Sequence, residues 1–212
     1  TSAGLLPASR VFEAMVDASA RREHALQLFA QACAWARAWR EGGAALTVSV
    51  PAVGECIDDE QTLARVHEMA RQAALPRGAL HLLVDETSFL RGDSALLPAL
   101  RQLRAAGLGF TLSDVGAGTL SLQRLTRLGP DRLKIHRLFV RDVGSDPERM
   151  TLARSVIALA HTLRIVAIAD GIASDGDAQF FRWEGCALGQ GDRLAPACLP
   201  ADVLSLVQER AR

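Results

Sequence analysis

Residues 109–140 read GFTLSDVGAGTLSLQRLTRLGPDRLKIHRLFV, and the architecture can be worked out from them in both directions. Two short apolar runs, LGFTLS at 108–113 and RLKI at 132–135, flank a helix-like run that starts near Thr119. A Gly129-Pro130-Asp131 turn separates that run from the second strand. The second strand carries Lys134. The chain has 24 basic residues and Lys134 is its only lysine. A lysine is a compact point charge without the guanidinium fork, so it is suited to work that arginine does not do.

The same strand–helix alternation runs through the rest of the chain. Strand candidates lie at 45–50, 79–84, 164–169 and, more briefly, 186–189. Residues 24–40 place Leu28, Ala32, Trp35 and Trp39 at helical spacing, which predicts a core-facing stripe. Residues 60–74 do the same with Leu63, Val66, Met69 and Ala70. Residues 147–163 follow with Met150, Ala153, Val156, Ile157 and Ala160, and Pro147 stands near the start, where a missing N–H is harmless. Alternation of this kind predicts a parallel sheet with helical crossovers, either an open doubly wound sheet or a (β/α) barrel. No G-x-G-x-x-G follows the first strand, which removes the main support for a dinucleotide fold. A complete barrel takes about 250 residues. At 212 residues this chain is expected to lack the opening strand or strands of one.

Composition narrows the function. Hydrophobic residues make up 49% and the formal net charge is zero, so a sizeable core is affordable and no basic surface dominates. A nucleic-acid polymer is therefore not an expected partner. Cys33, Cys56, Cys186 and Cys198 form no C-x-x-C pair or zinc spacing, and free thiols in a cytoplasmic protein are expected. No apolar run approaches the ~20 residues that span a bilayer, so no membrane contact by this domain is expected.

Function in parallel barrels and sheets collects at the C-terminal strand ends. Those ends carry Ser49, Leu83 with Glu86 beyond it, Ser113-Asp114, Lys134 with His136, Asp170 and Gln190. Alternation puts Lys134 and His136 on one strand face. Asp114 and Asp170 are the carboxylates counted at this rim. The Gly116-Ala117-Gly118 loop could offer N–H groups to an anion, although a tight turn needs no ligand.

Four blocks in order resemble the EAL domain family, cyclic di-GMP phosphodiesterase domains of bacterial signalling proteins. SDVGAGTLSL at 113–122 is similar to the family's DDFGTGYSSL, and LGPDRLKIHRLFV at 128–140 to LPVDxLKIDxxFV. ADGIA at 169–173 matches AEGVE, and GCALGQGD at 185–192 matches GCDxxQGY. GLLPASRVF at 4–12 resembles GxIxPxxFI, so the likeness covers essentially all of 1–212 as a single domain. It implies a TIM-like (β/α)8 barrel of the EAL type.

Family members hold two Mg or Mn ions, and the resemblance implies which positions would carry them. The ligand positions are occupied here by Ser49, Leu83, Ser113 and His136. Glu86 corresponds to the glutamate that braces the loop after the fifth strand. Asp114 matches the second Asp of that block, Lys134 the catalytic lysine, Asp170 the Glu of AEGVE and Gln190 the late glutamine. Leucine offers no lone pair, serine offers a neutral hydroxyl, and imidazole suits softer metals than Mg²⁺. A degenerate domain without an intact catalytic set or bound metal is therefore expected. Three readings follow: a regulatory or protein-interaction module, with a homodimer or signalling partner; a metal-independent cyclic di-GMP receptor using Lys134, Asp114, Asp170 and Gln190; and a weak phosphodiesterase.

Overall fold

The computed structural model describes residues 15, 17–51, 59–86, 93–116 and 121–210, with the backbone alone at 93–96, 124 and 210. Helix α1 (Ala18–Glu41) leads to β1 (Val48–Pro51), α2 (Glu60–Ala73), β2 (Leu80–Asp85), α3 (Asp93–Ala105) and β3 (Gly109–Val115). Then come α4 (Leu122–Leu128), β4 (Arg132–Ile135), α5 (Pro147–Thr162), β5 (Val166–Asp170), α6 (Asp175–Trp183), β6 (Leu188–Gln190) and α7 (Val203–Arg210).

The six strands pair in parallel in the order β1-β2-β3-β4-β5-β6. That order separates the two closures left open by the sequence. A doubly wound sheet reverses its strand order at a switch point, whereas this one advances by one neighbour at every crossover, as a barrel does. The sheet is curled into part of a TIM-like barrel.

Alternation assigns the two faces. Leu82, Val84, Phe110, Leu112, Leu133, Ile135, Ala167 and Ala169 are all at most 6% exposed, and they form one core with the buried helix residues. Burying each large side chain of this set contributes about 1.5–3 kcal/mol. The opposite face carries the polar residues. Local signals start the helices: Asp17, Asp59 and Asp146 each accept a backbone N–H at an N-terminus, and Pro147 opens α5.

The core faces of α2 and α5 lie where the spacing predicts, on Leu63, Val66 and Ala70, and on Ala153, Ile157 and Ala160. Helix α1 is different. Its buried residues are Ala25, Leu26, Phe29, Cys33 and Ala36, not the stripe through Leu28 and Trp35. Trp35 is 36% exposed and stacks on Trp39 at 6.1 Å. The Trp39 Nε1–H donates to the Pro200 carbonyl at 3.0 Å. Indole keeps its N–H bonded while half wet, so the pair lies at the margin of the core. Cys33, Cys186 and Cys198 are free thiols. Burial pushes the Cys33 thiol up to about 11 and raises Cys186 as well, which makes neither a ready nucleophile.

Candidate functional site at the C-terminal strand ends

Strand β3 ends in a β-bulge, and the bulge builds the centre of this rim. Leu112 is in register with Leu133, but the next pair is Val115 with Ile135. Two residues, Ser113 and Asp114, therefore lie opposite the single Lys134. Asp114 has a positive φ of 60°, a conformation that Asp tolerates better than most residues. Strict alternation would send Asp114 to the helix side. The bulge returns Val115 to the core, at 3% exposure, and leaves Ser113 and Asp114 both half-buried at the rim.

The charged groups there are engaged with one another. Lys134 Nζ is 3.1 Å from Asp170 Oδ2, with the two side chains 14% and 26% exposed. The residue in register with Lys134 is Ile168, so the pair is a diagonal contact to a position two residues further along β5. Asp114 accepts a hydrogen bond from the Ser113 hydroxyl at 3.1 Å on Oδ2, and its Oδ1 lies 3.8 Å from His136 Nε2. His136 caps the 3-10 turn Arg137–Phe139 by accepting the Leu138 N–H on Nδ1 at 3.2 Å. That bond fixes the ring with Nε2 toward Asp114.

Gln190 is exposed and stands in register with Asp170. Its backbone carbonyl accepts from Gly171 and Ile172. A Cβ on Gly191 would come within 2.2 Å of the Ile172 carbonyl oxygen, so the Gln-Gly pair is set by backbone approach. Ser49 is exposed on β1, and Leu83 is half-buried on the polar face. Glu86 is 1% exposed, and neither carboxylate oxygen has a hydrogen-bond partner among the described residues. The loop that Glu86 is expected to brace includes 117–120, outside the described residues, as do Ala117 and Gly118 of the glycine loop.

The structure adds one carboxylate to the count made from sequence. Asp85 is half-buried on the same strand face as Leu83 and in register with Ser113. The alternation of LHLLVD could have located it. Even so, no three His, Cys, Asp or Glu side chains come together as a metal-binding group among the described residues.

The other end of the same face is also polar. His81, 3% exposed, places Nδ1 3.0 Å from Thr111 Oγ1. Burial lowers its pKa, the Arg132 and Arg104 charges lower it further, and Asp131 opposes them. The sequence reading singled out none of these residues as a site.

A parallel α/β sheet whose strands pair in sequential order and curl defines a (β/α)-barrel-like protein. The chain belongs to the EAL domain family, whose model matches residues 1–197. It is 30% identical over 177 residues to the bifunctional diguanylate cyclase/cyclic di-GMP phosphodiesterase MucR of Pseudomonas aeruginosa, covering 82% of this chain and 25% of that protein. The cyclic di-GMP phosphodiesterase NbdA of the same organism is 32% identical over 126 residues, 59% of this chain and 16% of that protein. The chain thus spans a quarter or less of the length of these relatives. Among solved structures, the EAL domain of Mycobacterium smegmatis DcpA superposes with a TM-score of 0.83 at 26% identity, covering 89% of this chain and 85% of that one. The MucR phosphodiesterase in complex with cyclic di-GMP gives 0.77 at 28% identity, covering 82% and 71%.

Proposed function

We propose that this chain is a degenerate EAL domain, a single regulatory module of cyclic di-GMP signalling that does not hydrolyse the dinucleotide. The observation that carries this reading is the state of the rim's charged groups. Lys134 is committed to Asp170, and Asp114 is held between Ser113 and His136. A two-metal phosphodiesterase needs oxygen anions that face the ions together. Here the positions implied as metal ligands hold two hydroxyls, a hydrocarbon and an imidazole, and two of the remaining carboxylates already have partners. This donor set does not fit a pair of Mg or Mn ions, and no hydrolytic step is derived through them.

The module acts through its surface in this reading, as a homodimer or on a signalling partner in the cytoplasm. Exposed Leu122 on α4 and Leu138 on the following 3-10 turn, 59% and 61% accessible, support it. The test is a hydrolysis assay of cyclic di-GMP with Mg²⁺ and with Mn²⁺, run beside sedimentation of the protein. No linear product is expected; turnover with either ion would overturn the reading.

Metal-independent reception of cyclic di-GMP is the second reading. It is favoured by the exposed Gln190 beside the Lys134–Asp170 pair and by the likeness to the ligand-bound MucR domain. Calorimetry with the dinucleotide in the presence of a chelator separates the two. Saturable heat supports reception, and its absence leaves the surface-acting module.

A further inference from the structure

We propose that the N-terminal end of the sheet, opposite the rim, carries a pocket for a small phosphate-class oxyanion. The proposal does not rest on the regulatory reading above.

Three turns meet at this end, each entering a strand from the helix before it: Arg77-Gly78 before β2, Gly107 before β3 and Gly129-Pro130-Asp131 before β4. The Gly78 N–H donates to the Gly107 carbonyl at 2.9 Å, which ties two of the turns together. Between them opens a cavity of about 630 Å³, lined by Arg77, Arg104, Arg132, His81 and Asp131 among others. Ligand pockets commonly run about 300–1,000 Å³. Gly109 makes room for the His81 ring in its wall: a Cβ there would come 2.4 Å from that ring.

The charge inside is unbalanced. Three guanidinium groups line the cavity against the single carboxylate of Asp131. That carboxylate is anchored, since Asp131 Oδ2 accepts the Phe110 N–H at 2.7 Å and lies 3.4 Å from Arg104 Nη2. The other two arginines hydrogen-bond neutral oxygens. Arg132 donates to the Thr47 hydroxyl at 3.3 Å, and Arg77 to the Arg104 carbonyl at 3.3 Å. Arg132 is half-buried; burial lowers its pKa and the Asp131 charge opposes that shift. A half-buried guanidinium that hydrogen-bonds a neutral hydroxyl, and shares one nearby carboxylate with two other arginines, gains from a doubly charged oxyanion, which can accept two parallel N–H bonds. His81, held from behind by the buried Thr111 hydroxyl, adds a polar ring to the wall. The rim offers no equivalent, because its lysine is already paired.

The test titrates the whole chain with pyrophosphate, against potassium chloride at equal ionic strength, and reads heat together with the His81 imidazole resonances. Saturable binding that moves the His81 signals is expected. Arg132→Gln should weaken it about tenfold, the worth of one charge-assisted hydrogen bond pair. Arg77→Gln, in an exposed turn that tolerates change, should also weaken it, so the proposal stays testable if the Arg132 variant does not fold. Lys134→Met should leave it intact. Titration no different from chloride would overturn the proposal, as would binding lost with Lys134 and kept with Arg132 and Arg77 altered.

Discussion

The two ends of the polar sheet face hold similar numbers of charged groups but arrange them in opposite ways. At the C-terminal rim, cation and anion come from neighbouring strands and meet, Lys134 with Asp170 at 3.1 Å, while the His136 ring stands 3.8 Å from Asp114. At the N-terminal end, arginines outnumber the acid, and Arg132 turns to a neutral hydroxyl. The two ends share strands. Arg132 and Lys134 are two residues apart on β4, about 6.6 Å at the rise of a parallel strand. One strand thus carries a cation in an ion pair at its far end and, at its near end, one that hydrogen-bonds a hydroxyl. Self-neutralised charge is poorly disposed to recruit an ion, while unbalanced charge is disposed to do so.

The largest disruption of this contrast comes from the residue between the two cations. Leu133 is fully buried behind the strand. Leu133→Ala should cost about 2–5 kcal/mol, measured by urea unfolding, and should loosen both ends together. If the pyrophosphate response survived that loosening unchanged, the ends would not depend on a common β4 core.

Gly109→Ala is directed at the N-terminal end alone. Its Cβ would overlap the His81 ring, so the ring must leave Thr111 or the strand must shift, at about 1–3 kcal/mol. A thermal melt reads the cost, and imidazole NMR reads the ring. The His136 signals should stay in place.

At the rim, Lys134→Met leaves Asp170 without its cation in a partly buried setting. A loss of about 1–2 kcal/mol is expected, between an exposed pair and a fully buried one. Asp170→Asn in the same background should then add almost nothing. Full additivity in that double-mutant cycle would show that the pair is not coupled.

The smallest effect is on pH dependence. The folded His81 pKa lies below its ordinary 6.5, so the unfolded chain takes up the proton first. Stability should therefore fall as pH is lowered through 6.5 and level off once the folded ring protonates. His81→Gln should flatten that part of a stability–pH curve. A slope unchanged by the substitution would assign it to other groups.

Much of this was legible in the sequence. Strand positions and the core faces of α2 and α5 follow from period and spacing. The α1 face departs from the expected stripe because two tryptophans at helical spacing look like core, yet they stack at its margin, where Trp39 donates to the Pro200 carbonyl. Asp85 was passed over because LVDET was read for its leucine and glutamate, although alternation alone places it beside Leu83.

The amino-acid order by itself settled the alternation of strands and helices, the family blocks and the presence of serine, leucine, serine and histidine at 49, 83, 113 and 136, since these are properties of single positions and short windows. Neighbour relations needed the folded chain. The bulge that turns both Ser113 and Asp114 to the rim, the diagonal reach of Lys134 to Asp170 and the meeting of three distant turns around Arg132 all depend on register between strands. Register is set jointly by separate segments, so no one segment encodes it.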